Sequence, residues 1–180
     1  HLLLLLRWLD DYGCWDRLWV VYTEPEEYEI EGKLPLSFGV SRVEQLAGFS
    51  ASPDPSRPLH VAMFLGYEGD RAYATFELLQ PRRTTLIIPD PPFRESWRGR
   101  TEELNENLLS VVGSASVLRA DALDPESSYG VLKDAFGAVD SHSECSRALC
   151  PLGTKPQIFG AYLYLRSSLD PPAVIYTGAL

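Results

Sequence analysis

The sequence is poor in the residues that usually mark a disulfide framework, a metal centre or a catalytic site. Its 180 residues include three Cys, three His and one Met. Three cysteines are too few, and odd in number, for a secreted disulfide scaffold, so we predict a reducing, cytoplasmic location. His142, Cys145 and Cys150 are close in sequence but match no common zinc-ligand spacing. We therefore predict no metal site, and the sequence identifies no cofactor.

Several motifs that would identify a function are also missing. The chain has no Gly-x-Ser-x-Gly of an α/β-hydrolase, no two-glycine Walker loop and no three-glycine dinucleotide fingerprint. No apolar run approaches the roughly 18 residues that a membrane helix requires. The short run Leu2–Leu6 fits an amphipathic helix better than a signal peptide. We therefore predict no membrane partner.

The composition that is present describes a globular domain with an acidic surface. Apolar residues make up 45% of the chain and charged residues 23%, which is ordinary for such a domain. The formal net charge of −9 argues against a duplex-DNA binder, which needs a dominant basic face. We predict that residues 1–180 form a single domain. The start at His1, without Met, and the end at Leu180, just after an apolar run, predict a fragment of a longer chain.

Short apolar runs alternate with helical stretches, which is typical of an α/β domain. The runs are continuous, as expected of parallel strands with helices on both faces. We therefore predict a Rossmann-like three-layer sandwich with a mainly parallel sheet of about six strands. The predicted strands are Leu18–Thr23, Leu59–Leu65, Thr84–Ile88, Ser116–Ala120, Arg147–Pro151 and Ala173–Thr177. The predicted helices are Leu2–Tyr12, Val40–Ala47, Asp70–Leu79, Thr101–Val112, Pro125–Ala138 and Thr154–Ser168.

The strongest candidate for a binding turn follows the fifth predicted strand. In open α/β sheets, ligands bind beyond the carboxyl ends of the strands. Gly153, Thr154 and Lys155 stand there, where a tight turn, a helix N-terminus and an ammonium favour an anion such as phosphate. Lys155 is one of only three lysines in the chain. The alternative is that Thr154 only caps the helix and Lys155 is solvated.

This strand–Gly-Thr-Lys–helix turn resembles the Thr-Gly-Gly-Thr-Lys turn of some CRISPR-associated Rossmann-fold sensor domains. The match covers Gly153, Thr154 and Lys155, whereas Pro151 and Leu152 stand where that family has Thr-Gly. Pro156, after the Lys, is a further departure. In that family the turn lies beside a bound cyclic oligoadenylate. The resemblance therefore implies a nucleotide-sensing, regulatory role in antiviral defence.

Acidic and aromatic residues at other predicted strand ends complete the predicted ligand site. Glu68 lies between the second predicted strand and the next helix, where an acid can bind a ribose hydroxyl or act as a base. Tyr22 and Glu24 lie at the end of the first predicted strand and are predicted to bind the ligand, with Glu68 or Tyr22 in contact with its sugar or base. The alternative is that Glu68 and Asp70 only complement the helix N-terminus that follows, while Arg71 pairs locally.

The segment 92–100 interleaves aromatic residues with Arg. We predict that Arg94, Trp97, Arg98 and Arg100 form an interaction loop, which either stacks on a base or anchors a protein partner. An ordinary exposed loop with one packed Trp is the alternative.

These features predict a sensing or regulatory module rather than an enzyme. The module would bind a phosphate-bearing, nucleotide-like small molecule at the carboxyl ends of the strands. Two alternatives stay open. One is a metal-dependent nucleotide or phosphoester hydrolase that uses Glu24, Glu68 and Asp90. The other is a protein-interaction module of a larger multidomain assembly, with segment 92–100 as its contact.

Overall fold

A mixed six-stranded sheet lies at the centre of the fold, with helices on both of its faces. The computed structural model describes residues 2–24, 42–49, 52–113, 116–137 and 145–178. The strands are β1 (Arg42–Gln45), β2 (Leu59–Phe64), β3 (Arg83–Pro89), β4 (Val117–Ala120), β5 (Ser146–Pro151) and β6 (Ala173–Gly178). The helices are α1 (Leu2–Asp11), α2 (Gly69–Leu79), α3 (Arg100–Leu104), α4 (Glu106–Val112), α5 (Pro125–Gly137) and α6 (Lys155–Ser167). Short 3-10 helices occupy Trp15–Arg17 and Glu95–Trp97.

The strand order across the sheet is β1-β6-β5-β2-β3-β4. Parallel pairing joins β6 to β5, β5 to β2, β2 to β3 and β3 to β4. At the remaining edge, β1 pairs with β6 in the antiparallel direction. The prediction of an α/β fold is therefore confirmed, and the sheet has six strands, but it is mixed because of this one edge strand.

The edge strand β1 overturns one predicted helix. We predicted a helix over Val40–Ala47, but Arg42–Gln45 is a strand, while residues 40 and 41 lie outside the described part. The N–H of Leu46 then donates to the carbonyl of Val174 at 2.8 Å, which continues the contact with β6. Val43 packs against the core beside the sheet. A segment this short has too few turns for its apolar spacing to separate a helix from a strand.

The first predicted strand, Leu18–Thr23, is also wrong. Leu18 has an extended backbone, but no residue of this stretch pairs with a strand among the described residues. The stretch is rich in residues that favour strands, yet that preference measures how well side chains fit a pleated, half-buried surface. Here the stretch lies outside the sheet, and its Trp19 and Val21 side chains are exposed.

The predicted helix Thr101–Val112 consists of two helices, α3 and α4, which meet at Asn105. The buried Asn105 amide donates to the carbonyl oxygens of Thr101 at 2.8 Å and of Gly66 at 2.9 Å. Such side-chain bonds to the backbone compete with a continuous helix. They also tie this break to the connection that follows β2.

Alternate side chains of the central strand β2 pack into the two halves of the core, one on each face of the sheet. Ala62 and Phe64 belong to the cluster that includes α1, α5 and α6. Val61 and Met63 belong to the cluster that includes α2 and α4. Each of these four side chains is fully buried, as expected of a central strand covered on both faces.

At Gly160, the backbone of α6 lies close to the start of α5. A Cβ atom at this position would collide with the carbonyl oxygen of Pro125 and would lie 2.8 Å from the Cβ of Ser128. Gly130, within α5, has open space around its missing side chain. The fold therefore requires the first glycine and not the second.

The only histidine among the described residues, His60, is a buried part of β2. Its Nε2 lies 3.0 Å from the hydroxyl oxygen of Thr85, and its ring meets Phe136 edge to face. Burial lowers the pKa of His60 from its usual 6.5 to about 4, and the positive charges of Arg83 and Arg147 act in the same direction. His60 is therefore neutral in the folded chain at neutral pH and has a structural role.

This buried histidine predicts a loss of stability in mild acid. Unfolded chains bind a proton at His60 below pH 6.5, whereas the folded chain resists protonation down to about pH 4. The free energy of unfolding contributed by this group is thus present above pH 6.5 and is lost as the pH falls through that window. Between pH 7 and pH 5 we expect a loss of about 2 kcal/mol. Urea unfolding of the native chain and of His60→Gln at both pH values measures this loss. The variant has no titratable group at position 60, so its free energy of unfolding should depend less on pH. Equal pH dependence in the two proteins would contradict the prediction.

Candidate functional site

A cavity of about 270 Å³ lies where the strands β2, β3 and β5 end. This volume is just below the roughly 300–1,000 Å³ of most small-molecule sites. Its walls come from residues 18–24, which we call the N-terminal segment, and from the connections that follow β2, β3, β4 and β5. The lining residues are Tyr22, Glu24, Gly66, Tyr67, Glu68, Pro89, Pro92, Phe93, Trp97, Thr101, Ala122, Leu152, Gly153, Thr154 and Lys155.

All six residues that we predicted as ligand contacts line this one cavity. They are Tyr22, Glu24, Glu68, Gly153, Thr154 and Lys155. Parallel strands end at a common edge, which brings the last four together. The N-terminal segment reaches the same place without being a strand.

The turn after β5 is tight because its neighbours leave no room for a side chain at Gly153. A Cβ atom there would lie 2.5 Å from Oε1 of Gln157 and 3.0 Å from the Cβ of Phe64. The preceding residue, Leu152, is equally close to the connection after β2, since a Cβ at Gly66 would lie 2.5 Å from the Leu152 carbonyl oxygen. The two connections therefore form one continuous floor of the cavity.

Thr154 caps helix α6, as the alternative interpretation of this residue predicted. Its hydroxyl oxygen accepts from the N–H of Gln157 at 3.3 Å, and the Gln157 side chain accepts from the N–H of Thr154 at 3.1 Å. The hydroxyl also donates to the carbonyl oxygen of Ala122 at 2.7 Å. Its single proton is thus already used, so Thr154 orients the turn and has no hydroxyl proton to donate to a ligand.

This cap predicts a measurable contribution to stability. We expect Thr154→Val to lower the free energy of unfolding by about 1–2 kcal/mol, because it removes the cap and the bond to Ala122. Thr154→Ser keeps the hydroxyl and should recover most of that loss. Urea unfolding of the three proteins makes the comparison. If Ser is as unstable as Val, the hydroxyl contributes nothing and the prediction fails.

Lys155 is the first residue of α6, and its ammonium lies at the mouth of the cavity. Its Nζ lies 5.7 Å from the centre of the Tyr22 ring, and the residue is exposed. Among the described residues, no carboxylate pairs with it. Within the same part of the chain, the backbone N–H groups of Gly153 and Lys155 also have no acceptor, and Pro156 has no N–H. The start of α6 therefore presents an ammonium and two N–H groups.

Four aromatic rings form a wall of the cavity, which we call the aromatic wall: Tyr22, Phe93, Trp97 and Tyr67. The ring centres of Phe93 and Trp97 are 5.8 Å apart with nearly parallel planes. Tyr22 meets Phe93 edge to face at 6.1 Å, and Tyr67 meets Trp97 edge to face at 5.9 Å. The Arg94 guanidinium lies 5.4 Å above the Trp97 ring. The wall is thus a packed row of rings, with Lys155 over its Tyr22 end and Arg94 over Trp97 within it.

Burial raises the pKa of Tyr67 to about 12, while nearby Arg100 and Glu24 have smaller, opposing effects. Its hydroxyl therefore stays protonated at neutral pH. We did not include Tyr67 or Phe93 among the predicted ligand residues. Two sequence features could have identified them: Tyr67 directly precedes Glu68, and Phe93 lies within the segment 92–100.

Glu68 lines the cavity and forms an ion pair with Arg71 at 3.0 Å. Both side chains are largely buried, with 20% and 17% of their surface exposed. Glu68 stands at the N-cap position of α2 but makes no side-chain capping bond. Its carboxylate is thus a partly neutralised acceptor beside the cavity, and its pair with Arg71 is the local pairing that the alternative interpretation predicted.

The three acids of the alternative hydrolase are not gathered into a metal site. Asp90 does not line the cavity, and its carboxylate pairs with Arg98 at 2.8 Å and with Arg119 at 3.0 Å. Throughout the part of the chain that the structure describes, no group of three His, Cys, Asp or Glu could hold a metal ion. The buried thiol of Cys150 is no nucleophile either, because burial raises its pKa to about 12.

The predicted interaction loop divides into a cavity side and an outer side. Trp97 lines the cavity, and Arg94 stacks on it. Arg98 pairs with both Glu95 and Asp90, so its charge is matched within the fold. Arg100 begins α3. The aromatic part of the segment thus belongs to the cavity, and Arg98 holds the segment in place.

A comparison with protein-family models gives no match, and a comparison with curated proteins gives none either. Among the described residues, no helix is both long enough and apolar enough to cross a membrane. The function is therefore argued from the cavity.

Proposed function

We propose that this chain is a cytoplasmic sensing or regulatory module of Rossmann-like layering that binds a phosphate-bearing, nucleotide-like small molecule in the cavity. The proposal depends on the position and the unmatched charge of Lys155. Its ammonium has no carboxylate partner among the described residues and stands at the start of α6, beside the aromatic wall.

The start of α6 supports the phosphate end of this proposal. The N-terminus of a helix carries partial positive charge and favours anions. Lys155 adds a full charge, and the N–H groups of Gly153 and Lys155 add donors. A phosphate bound there would replace the Tyr22 ring as the partner of the ammonium, and a charged partner is the stronger one.

The aromatic wall supports the base end. A planar base gains roughly 1–3 kcal/mol by stacking on an aromatic side chain. The carboxylates of Glu24 and Glu68 line the same cavity and are suited to accept hydrogen bonds from sugar hydroxyls. A ligand with a flat ring, hydroxyls and a phosphate therefore matches all parts of the lining, whereas a simple sugar phosphate leaves the wall unused.

Calorimetric titration of the purified chain tests the proposal. The panel holds mononucleotides, cyclic dinucleotides and cyclic oligoadenylates, the last because of the resemblance of the Gly153–Lys155 turn. Adenosine and inorganic phosphate serve as controls for the two halves of a nucleotide. We expect one or more nucleotides to bind at least about tenfold more tightly than either half alone. Absence of binding across the panel at millimolar concentration would refute the proposal.

A further inference from the structure

The charges around the cavity limit how many phosphate groups a ligand can carry into it. Among the described residues that line the cavity, Lys155 alone is basic, whereas Glu24 and Glu68 are both acidic. The pair with Arg71 neutralises Glu68 in part. The lining therefore holds one ammonium that attracts an anion and two carboxylates, one of them partly neutralised, that repel it.

The other cations of this region lie outside the lining. Arg98 is matched by two carboxylates of the fold, and Arg94 lies over an aromatic ring. Beside the larger effect of burial, Arg100 lowers the pKa of Tyr67 and Glu24 raises it, so a negative charge accompanies the positive charge of Arg100 there. A second phosphate group would thus meet no further basic side chain among the described lining residues.

Hydrogen-bond donors at the start of α6 are also few. The N–H and the hydroxyl proton of Thr154 are already used within the fold, and Pro156 has no N–H. Among the described residues, the groups that remain are the N–H groups of Gly153 and Lys155 and the Lys155 ammonium. A terminal phosphate group has three strong acceptor oxygens, so one such group is enough to occupy these donors.

The volume of the cavity favours a small ligand as well. At about 270 Å³, it lies just below the roughly 300–1,000 Å³ of most small-molecule sites. One base on the aromatic wall and one phosphate at Lys155 would fill it, whereas a second nucleotide would extend beyond it. We propose that the cavity selects mononucleotides with a single phosphate group over nucleoside di- and triphosphates and over dinucleotides. This selectivity rests on the proposed function of the cavity.

Calorimetric titration with the 5′-mono-, di- and triphosphates of the four common nucleosides, and with cyclic dinucleotides, tests the selectivity. Mg²⁺ is left out because it binds phosphate groups and would neutralise the added ones. We expect each added phosphate to weaken binding roughly fivefold or more, because it brings negative charge towards the carboxylates. Cyclic dinucleotides should bind more weakly than the best monophosphate.

Two Glu-to-Gln variants show whether the cavity lining causes this preference. Glu24→Gln removes a carboxylate from the cavity and should narrow the difference between monophosphate and triphosphate about fivefold. Glu77→Gln makes the same change at an exposed position of α2 that does not line the cavity, so the preference should stay as it is. Circular dichroism checks that both variants remain folded.

Each result separates the selectivity from the proposed function. Triphosphates or cyclic dinucleotides that bind as tightly as the best monophosphate would overturn the selectivity and leave the proposed function standing. If no nucleotide binds, both are wrong. A preference for monophosphates that Glu24→Gln leaves unchanged, or that Glu77→Gln reduces equally, would also contradict the selectivity, because the charge of the lining would not be its cause.

Discussion

Replacement of Lys155 by Ala should weaken nucleotide binding between about tenfold and 100-fold, because a hydrogen bond between charged groups contributes roughly 1.5–3 kcal/mol. The loss should appear with phosphate-bearing ligands and not with the matching nucleoside, since Lys155 stands at the start of α6 and not within the aromatic wall. Isothermal titration of the variant with a nucleotide and its nucleoside separates the two contributions. Lys155→Arg keeps the charge and should recover part of the affinity.

Lys133 provides a matched control for this experiment. Its Nζ lies 5.7 Å from the centre of the Tyr129 ring, the same distance as between Lys155 and Tyr22. Both lysines are exposed, but Lys133 is in the middle of α5, away from the cavity. Lys133→Ala should therefore leave binding unchanged. An equal loss in both variants would mean that the overall charge of the chain, and not the start of α6, controls affinity.

Gly160→Ala should destabilise the fold by about 2–3 kcal/mol. The new methyl group would collide with the Pro125 carbonyl and press on Ser128, so α5 and α6 would have to separate. Overpacking of this kind typically costs about 1–3 kcal/mol, and a collision with backbone cannot be relieved by a change of rotamer. Urea unfolding, with the midpoint and slope both fitted, gives the free energy of unfolding.

Gly130→Ala is the opposite case within the neighbouring helix. Apart from its chain neighbours and the nearby backbone of its own helix, no atom lies within 4 Å of a Cβ built at Gly130. Alanine favours a helix over glycine by about 0.5–1 kcal/mol, so this variant should be more stable than the native chain. Two Gly-to-Ala changes of opposite sign test the packing of α5 on α6 directly. If Gly130→Ala were less stable than the native chain, the room available for a Cβ atom would not explain the effect of these two substitutions.

The parts of the fold that could be predicted from the sequence are those where local pattern and burial agree. The five strands β2 to β6 are short runs of apolar residues bounded by turn residues, and each was predicted within two residues of its observed ends. The residues 18–23 show the opposite case. Their composition favours a strand, but whether a partner strand is available depends on the rest of the fold. The antiparallel edge strand β1 could not be predicted for the same reason, since its pairing with β6 joins residues far apart in sequence.

The candidate site could be predicted further than the fold around it. Strand ends share one edge in a parallel sheet, so Glu68 and the Gly153–Lys155 turn could be expected at a common place before any contact was known. The internal use of the Thr154 hydroxyl could not, because Ala122 comes from a distant connection. Nor could the pairing of Asp90 with Arg119, which comes from a neighbouring strand. The sequence thus predicts which strand ends share an edge, whereas tertiary structure sets the hydrogen-bond and ion-pair partners of the residues there.

The close approach at Gly160 also limits how the cavity can change shape. The Pro125 carbonyl lies against the α6 backbone at Gly160, and the Thr154 hydroxyl at the start of α6 donates to the Ala122 carbonyl just before α5. Both contacts oppose a movement of one helix along the other. We therefore expect α5 and α6 to form the more rigid side of the cavity. If the cavity narrows around the proposed ligand, we expect the opposite side to move, because Tyr22 and Phe93 are held there by a ring contact that can form again after a shift. In the proposed sensing role, ligand binding would therefore displace Tyr22 and the residues next to it more readily than α5.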